Sequence, residues 1–374
     1  MAGSAVTAYR HGLLLLAAAV LCGVAVREAQ AQVKPKTLAP VTVFSKFKPT
    51  NLEYLKSLKA MPVKTAFANY LTATKQPYLP NDKVKMANFA ATLQKLVDDN
   101  AGSKLKHSFG INAFTQMNFT ERARFLSLRG KSRTRAQGIA DNAEFLRQTS
   151  GTSLADMEAA AERMYALAAE KTAAMRTSAA QTDDEISWFD SFGAIRKQGT
   201  ITSSVCNAGW AFAAAAAAEG ASFANTNYVV SLAAKQLIDC DPGNSDGCNG
   251  GLLEPAFKYI VTNGLTSEDE LPYEPKKKTC PTRLSKKSQL ASFTPLPPNN
   301  EAAMLEALRK GPIAVAMTVD AGFQQYNSNI YYSDACTGSE KPLNHAAVII
   351  GAGRDVVDGT PYWLLRLRYN EAAA

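Results

Sequence analysis

Two stretches decide how this chain is read: Cys206-Asn207-Ala208-Gly209-Trp210-Ala211-Phe212 and Gly247-Cys248-Asn249-Gly250-Gly251. The first leads into Trp210–Ala224, an alanine-rich run that predicts a helix, because alanine loses no side-chain freedom on entering one. The second lies within residues 240–253, whose glycines and cysteines predict a loop. Further on, Ser292–Asn300 holds three prolines and predicts a link between two subdomains. Ile313–Val319, Ala346–Ile350 and Trp363–Leu367 are short apolar runs that predict buried strands. Helical runs come first and strand-like runs second, with no internal repeat, so the order predicts an α+β architecture.

Composition bounds the rest. The chain has 374 residues, enough for one large domain or two ordinary ones, and its 46% hydrophobic and 20% charged content is that of a globular protein. The net charge of +8 is unevenly placed. From Ile186 onward there are 16 Lys and Arg against 18 Asp and Glu, so the basic excess belongs to residues 1–185. No basic stripe with interleaved aromatics marks a nucleic-acid site. The three histidines, His11, His107 and His345, form no Cys/His cluster with zinc-ligand spacing, so no metal is expected. Without a glycine-rich phosphate loop, no cofactor is expected either.

The start of the chain reads as a signal peptide over residues 1–31. Arg10 and His11 form a short basic start, Gly12–Val26 is apolar, and Ala29-Gln30-Ala31 is an A-x-A cleavage site. The apolar run is too short for a comfortable membrane span, and no other stretch is long enough. Entry into the secretory pathway follows, with a lysosomal, endosomal or extracellular destination and an oxidising lumen. Six cysteines are present. Cys22 leaves with the leader, and the other five lie after residue 200. Asn118-Phe119-Thr120 is a glycosylation sequon that such a compartment permits.

Residues 32–130 are helical and basic in pattern. Met86, Phe89, Leu93, Leu96 and Val97 recur at helical spacing within Lys83–Asn100. Gly110-Ile111-Asn112-Ala113-Phe114 then reads as a turn or short strand, and Thr120–Leu128 as a short helix. Residues 131–185 form a linker with one helix. Ser153 with Asp156 resembles a capping box, and Leu154–Met175 is rich in helix formers, read as a solvated spacer.

The residues quoted above resemble the papain-like cysteine peptidases. Cys206–Phe212 is similar to the family's C-G-S-C-W-A-F, Ser231–Cys240 to its L-S-E-Q-x-L-V-D-C, and Gly247–Gly251 to its G-C-N-G-G without change. Gly311–Ala316 resembles the G-P-[LIV]-A-V-A strand, Asn344-His345-Ala346 with Gly351 the segment around the family's histidine, and Pro361–Leu364 the opening of its last catalytic strand. Lys85, Phe89, Leu96 and Asn100 fall at the spacing of the cathepsin L-type propeptide helix. Gly110-x-Asn112-x-Phe114-x-Gln116 resembles G-x-N-x-F-x-D, with Gln116 in place of Asp. The resemblance implies a preproenzyme of the cathepsin L-like branch. Its fold would be papain-like, with a helical left subdomain and a β-rich right subdomain over residues 186–374, preceded by an inhibitor propeptide over 32–130.

Such a peptidase needs a thiolate, an imidazole that generates it, a side chain that orients the imidazole, and donors for the developing oxyanion. Carried over residue by residue, the nucleophile position before the Trp is Gly209, which offers no side chain. The base position is His345, either a retained member of the dyad or a relic packed in the groove. In place of K-N-S-W-G stands Arg366-Leu367-Arg368-Tyr369-Asn370, so Leu367 occupies the orienting position and cannot hydrogen-bond an imidazole. The oxyanion position is Ser203 by ungapped counting. Gln198-Gly199 resembles the usual Q-G but lies five residues too far upstream. The resemblance also implies disulfides Cys206–Cys248 and Cys240–Cys280. It leaves Cys336 as a free thiol, its partner belonging to strands that follow the last segment in the family. Gly250, Gly251, Leu252, Leu253 and Ala346 would line a substrate groove able to hold a peptide or protein segment, the chain's own propeptide included, with core packing the equal alternative for the two leucines. The expectation is therefore a catalytically inactive member retaining a peptide-binding cleft. The alternatives are an active endopeptidase with Cys206 recruited or the sequence in error, and a secreted or surface protein whose cleft is irrelevant.

Overall fold

The computed structural model describes residues 5–9, 20–23, 52–74, 76, 78–102, 107–118, 121–122, 126, 185–192, 206–240, 245–296, 300–333, 343–355 and 358–367. The helix expected over Leu154–Met175 lies outside these residues, as does most of that expected over Thr120–Leu128.

Three helices open the described structure: α1 (Leu52–Ala60), α2 (Val63–Ala73) and α3 (Lys83–Gly102). Each is amphipathic. α3 buries Lys85, Phe89, Leu93, Leu96 and Val97, a stripe spaced by three and four residues. Phe89 meets Phe67 and Tyr70 of α2 at ring-centroid distances of 5.5 and 4.8 Å, an aromatic knot that fixes the two helices. The Asp82 carboxylate accepts the Lys85 amide at 3.0 Å and caps the start of α3. At its end the Asn100 side chain accepts from the Phe109 N–H (2.9 Å) and donates to the Phe109 carbonyl (2.8 Å). That pair sets the position of the short strand β3 (Ser108–Phe109). A turn over residues 113–116 follows, so the expected break after α3 is a strand and then a turn.

The second half is built around α4 (Gly209–Thr226), in which every residue from Gly209 to Ala221 is buried. A helix buried all round needs small residues on every face, which is what the alanine run supplies. Gly220 is required for contact: a Cβ there would sit 2.5 Å from Cγ of Pro312. The one buried acid of α4, Glu219, accepts the Leu232 N–H at 2.9 Å. Asn227, with φ 58°, closes the helix through its N–H to the Phe223 carbonyl. α5 (Ala234–Cys240) and α6 (Leu253–Asn263) pack beside it. Lys235 and Asp239 form an ion pair inside α5 that is almost wholly buried, and Asp239 also accepts the Lys278 N–H.

Against α4 lies a sheet. Its longest strand, β9 (His345–Arg354), pairs antiparallel with β6 (Ile313–Met317), with β4 (Ile186–Ser187) and with β10 (Pro361–Arg366). A register shift between Leu364 and Leu365 bends the β9–β10 pair. β10 carries a further strand on its other side, β1 (Ala5–Tyr9), which also runs parallel to β8 (Ile330–Tyr331). β2 (Val20–Gly23) pairs with β5 (Ser292–Pro295). Two pieces of the segment read as a leader thus fill sheet edges in the full-length chain, where unpaired backbone groups would otherwise need partners. Ser292–Pro295, expected as part of a linker, is a strand for the same reason, its proline standing at the strand's end. α7 (Glu301–Leu308) starts at Asn300, whose side chain accepts the Ala303 N–H at 2.9 Å, and β7 (Tyr326–Ser328) pairs with β3.

Candidate functional site

The start of α4 is held by a loop that cannot move far. Cys206 is bonded to Cys248, and the Asn207 N–H donates to the Cys248 carbonyl at 2.8 Å. The Trp210 indole N–H donates to the Gly247 carbonyl at 3.1 Å. Gly251 lies under the Trp210 ring so closely that a Cβ would meet Cδ2 at 2.4 Å, and Gly250 adopts a φ of 106° that an L side chain resists. Cys240 is bonded to Cys280, tying the end of α5 to the following loop. Gly209 is the first residue of α4, so the backbone amides of the first turn and the positive end of the helix surround a residue with no side chain.

His345 begins β9 opposite Met317 of β6. The preceding Asn344 fixes it there: its amide donates to the Val319 carbonyl at 2.9 Å and its oxygen accepts the Val319 N–H at 2.8 Å. The imidazole is fully buried, and burial drives its pKa down from 6.5 to about 3. It is therefore neutral across the physiological range. Leu367, just past β10, is also buried. Between α4 and the sheet, Gly209, Ala346 and Arg366 border a void with space for about one water molecule. The Arg366 guanidinium lies over the Phe192 ring at 4.5 Å.

The residues expected to line a groove divide. Ala346 borders the void. Leu253 is buried in the hydrophobic core as part of the α6 stripe Leu253, Ala256, Phe257, Ile260 and Val261, so the structure places it in core packing. Leu252 is half-buried at the start of that helix. Ser203 and Cys336 lie outside the described residues, as does Gln198. Asn118 is exposed. Its side chain accepts the Glu121 N–H at 2.9 Å while Glu121 accepts the Asn118 N–H, a capping box. Sequence reasoning named Arg366 only as the first residue of the segment that stands in place of K-N-S-W-G. Its place beside the void depends on pairing across the sheet, which no local pattern reports.

Residues 184–372 match the model of the papain family of cysteine proteases, and the chain belongs to that family. Vignain of Phaseolus vulgaris is 38% identical over 183 residues, covering 46% of this chain and 48% of the relative. Procathepsin L of Rattus norvegicus is 37% identical over 182 residues, covering 46% and 54%. The chain thus spans about half the length of the curated relatives it matches. Over a longer stretch the fold agrees with two proenzyme structures. The proform of the ragweed pollen cysteine protease Amb a 11 matches with a TM-score of 0.63 and 21% identity, over 83% of this chain and 85% of that one. The digestive procathepsin L2 of Tenebrio molitor matches with a TM-score of 0.63 and 23% identity, over 83% and 93%. The fold is α+β and papain-like.

Proposed function

We propose that this chain is a papain-family pseudopeptidase of the cathepsin L-like branch, made with a signal peptide and an inhibitory propeptide, that binds peptide or protein segments without cleaving them. The observation that carries this reading is Gly209 at the first position of α4, directly before Trp210. The helix end that would stabilise a thiolate has none to stabilise. Two further features support it. Leu367 at the orienting position offers no hydrogen-bond acceptor, and His345 is buried and neutral. Cys206 is consumed by its bond to Cys248, which weighs against its recruitment as a nucleophile. Residues 32–130 are read as the propeptide because the described part of that region packs onto the peptidase domain through the β3–β7 pair. The destination proposed is the lysosomal system or the exterior.

The test is active-site titration. The full chain is held at pH 4.5 and its intact mass followed, then the chain is cut within residues 131–184 and treated with an epoxide-type cysteine-peptidase probe. No self-shortening and no adduct are expected on protein with both disulfides formed. A stoichiometric adduct on Cys206, or shortening with contaminating proteases excluded, refutes the reading.

A further inference from the structure

The peptidase reading leaves one sequence motif unused. Asn118-Phe119-Thr120 is the one N-x-S/T sequon in the chain. The run before it is seated on the domain. The His107 ring stands against Tyr331 of β8 at 4.6 Å, its Nδ1 accepts the Tyr332 N–H at 3.3 Å, and the Asn112 amide donates to the Gln324 carbonyl at 2.8 Å. Every residue from Ala113 to Met117 is buried, and Asn118, the next, is exposed. The chain thus turns outward at the asparagine of the sequon.

The two ends of the Asn118 amide are used differently. Oδ1 accepts the Glu121 N–H at 2.9 Å and caps the turn that follows. Glu121 returns the bond by accepting the Asn118 N–H at 2.9 Å, and the Arg122 N–H reaches the Asn118 carbonyl at 3.0 Å. Nδ2 donates to no group among the described residues. The turn itself is anchored. Glu121 pairs with Lys85 of α3, Arg122 donates to the Met117 carbonyl (3.0 Å) and the Thr92 hydroxyl (2.9 Å), and Gln324 of the domain donates to the Arg122 carbonyl (3.2 Å). A sugar on Nδ2 would leave Oδ1 and its lone pairs in place, so cap and modification do not compete for the side chain.

We propose that Asn118 is an N-glycosylation site, with Nδ2 carrying an oligosaccharide and Oδ1 kept as the cap of the turn. In the transfer, Nδ2 attacks the anomeric carbon of an oligosaccharide held on a polyprenyl pyrophosphate. An N–C bond forms, the C–O bond to phosphate breaks, the pyrophosphate leaves with the electron pair, and one Nδ2 proton goes to a base of the transferring enzyme. Transfer precedes folding, and the folded geometry tolerates its product because no bond or buried group has to be displaced. The inference rests on the reading of residues 1–31 as a signal peptide, because the transfer is lumenal. It has a consequence for processing. Residues 186–374 contain no sequon, so a cut within residues 131–184 leaves the sugar on the N-terminal piece and the peptidase domain bare.

The full chain, expressed in a eukaryotic secretory host, provides the test. Its tryptic peptide 107–122 is weighed before and after peptide N-glycosidase, which leaves aspartate where a sugar was attached. Aspartate at position 118 and a single downward step on a denaturing gel are expected for the wild type, and neither for Thr120→Ala. Because the mass is read on peptides, a variant that folds poorly still reports the sugar. Unmodified Asn118 in protein with both disulfides formed overturns the proposal and leaves the signal peptide standing. Reduced cysteines with residues 1–31 retained overturn both. Hydrogen–deuterium exchange at the Glu121 N–H reads the division between the two atoms. Thr120→Ala and Asn118→Asp keep the capping oxygen and should stay within about twofold of the wild type, whereas Asn118→Ala should exchange about fivefold faster. An equal loss of protection in Thr120→Ala and Asn118→Ala overturns the role given to Oδ1.

Discussion

Restoring the missing thiol should not restore a reactive one, and the structure says by how much it falls short. In Gly209→Cys, a thiolate–imidazolium pair requires moving a proton from a thiol of ordinary pKa, about 8.5, to His345. Each pKa unit of mismatch costs about 1.4 kcal/mol. With an unperturbed imidazole the transfer would cost about 3 kcal/mol. With His345 at about 3 it costs about 7.5 kcal/mol. Against this stands the attraction of opposite charges, about 4 kcal/mol at about 4 Å in a protein-like dielectric. The helix start adds no more than about 2 kcal/mol. The first case closes in favour of the pair, and the second leaves it uphill by about 1.5–3.5 kcal/mol. The introduced side chain should therefore remain a thiol near neutrality. The assay is the rate of alkylation of Gly209→Cys by iodoacetamide against pH, with adducts at position 209 counted by peptide mass. The rate should climb through about pH 8 as for a free cysteine. A plateau between pH 5 and 7 would show a formed ion pair and refute the argument. On the proposed reading of Leu367 as the orienting position, adding Leu367→Asn should move the profile toward that plateau.

Two other outcomes follow from packing and linkage. Gly251→Ala must push its new methyl against the Trp210 ring at a starting distance of 2.4 Å, so urea unfolding should show a loss of about 1–3 kcal/mol with an unchanged m-value. His345 contributes to acid lability, since its folded pKa lies below its unfolded one: stability held above pH 6.5 is lost as pH falls toward about 3. Between pH 7 and pH 4 this amounts to about 3 kcal/mol, so His345→Leu should lose less stability than the wild type over that interval in matched urea titrations, and an equal loss would show that the ring is not buried and neutral.

The helices were legible because their causes are local. Lys83–Asn100 and Trp210–Ala224 read as helices from spacing and alanine content, and the structure extends them only to Gly102, Gly209 and Thr226. The core strands were found with shifted ends: β6 stops at Met317 where Val319 was expected, and β10 runs from Pro361 to Arg366 where Trp363–Leu367 was expected. β9 runs on to Arg354 through Gly351 and Gly353, residues that weaken a strand in isolation and are held here by pairing with β10. Leu253 illustrates a different limit. Its neighbours in sequence left it between a groove wall and the core, while the spacing of Ala256, Phe257 and Ile260 belongs to a core stripe, and packing follows the spacing. His107 had no local signal at all, because its partners Tyr331 and Tyr332 lie more than two hundred residues away.

The residues that made the family recognisable are, in the structure, the ones that packing and chain geometry demand. Gly251 is needed because Trp210 lies on it, Gly247 supplies the carbonyl for that indole, Cys206 and Cys248 pin the loop between them, and Pro312 packs onto α4 at Gly220. None of these constraints depends on peptide cleavage. On the proposed reading Gly209 and Leu367 stand where the chemistry would be, and both are buried, one at the start of α4 and the other just past β10. Selection for the fold alone would therefore hold every motif that identifies this family while leaving positions 209 and 367 free to change. On that argument a family match of this strength carries information about architecture, and the chemistry has to be read from those two positions by themselves.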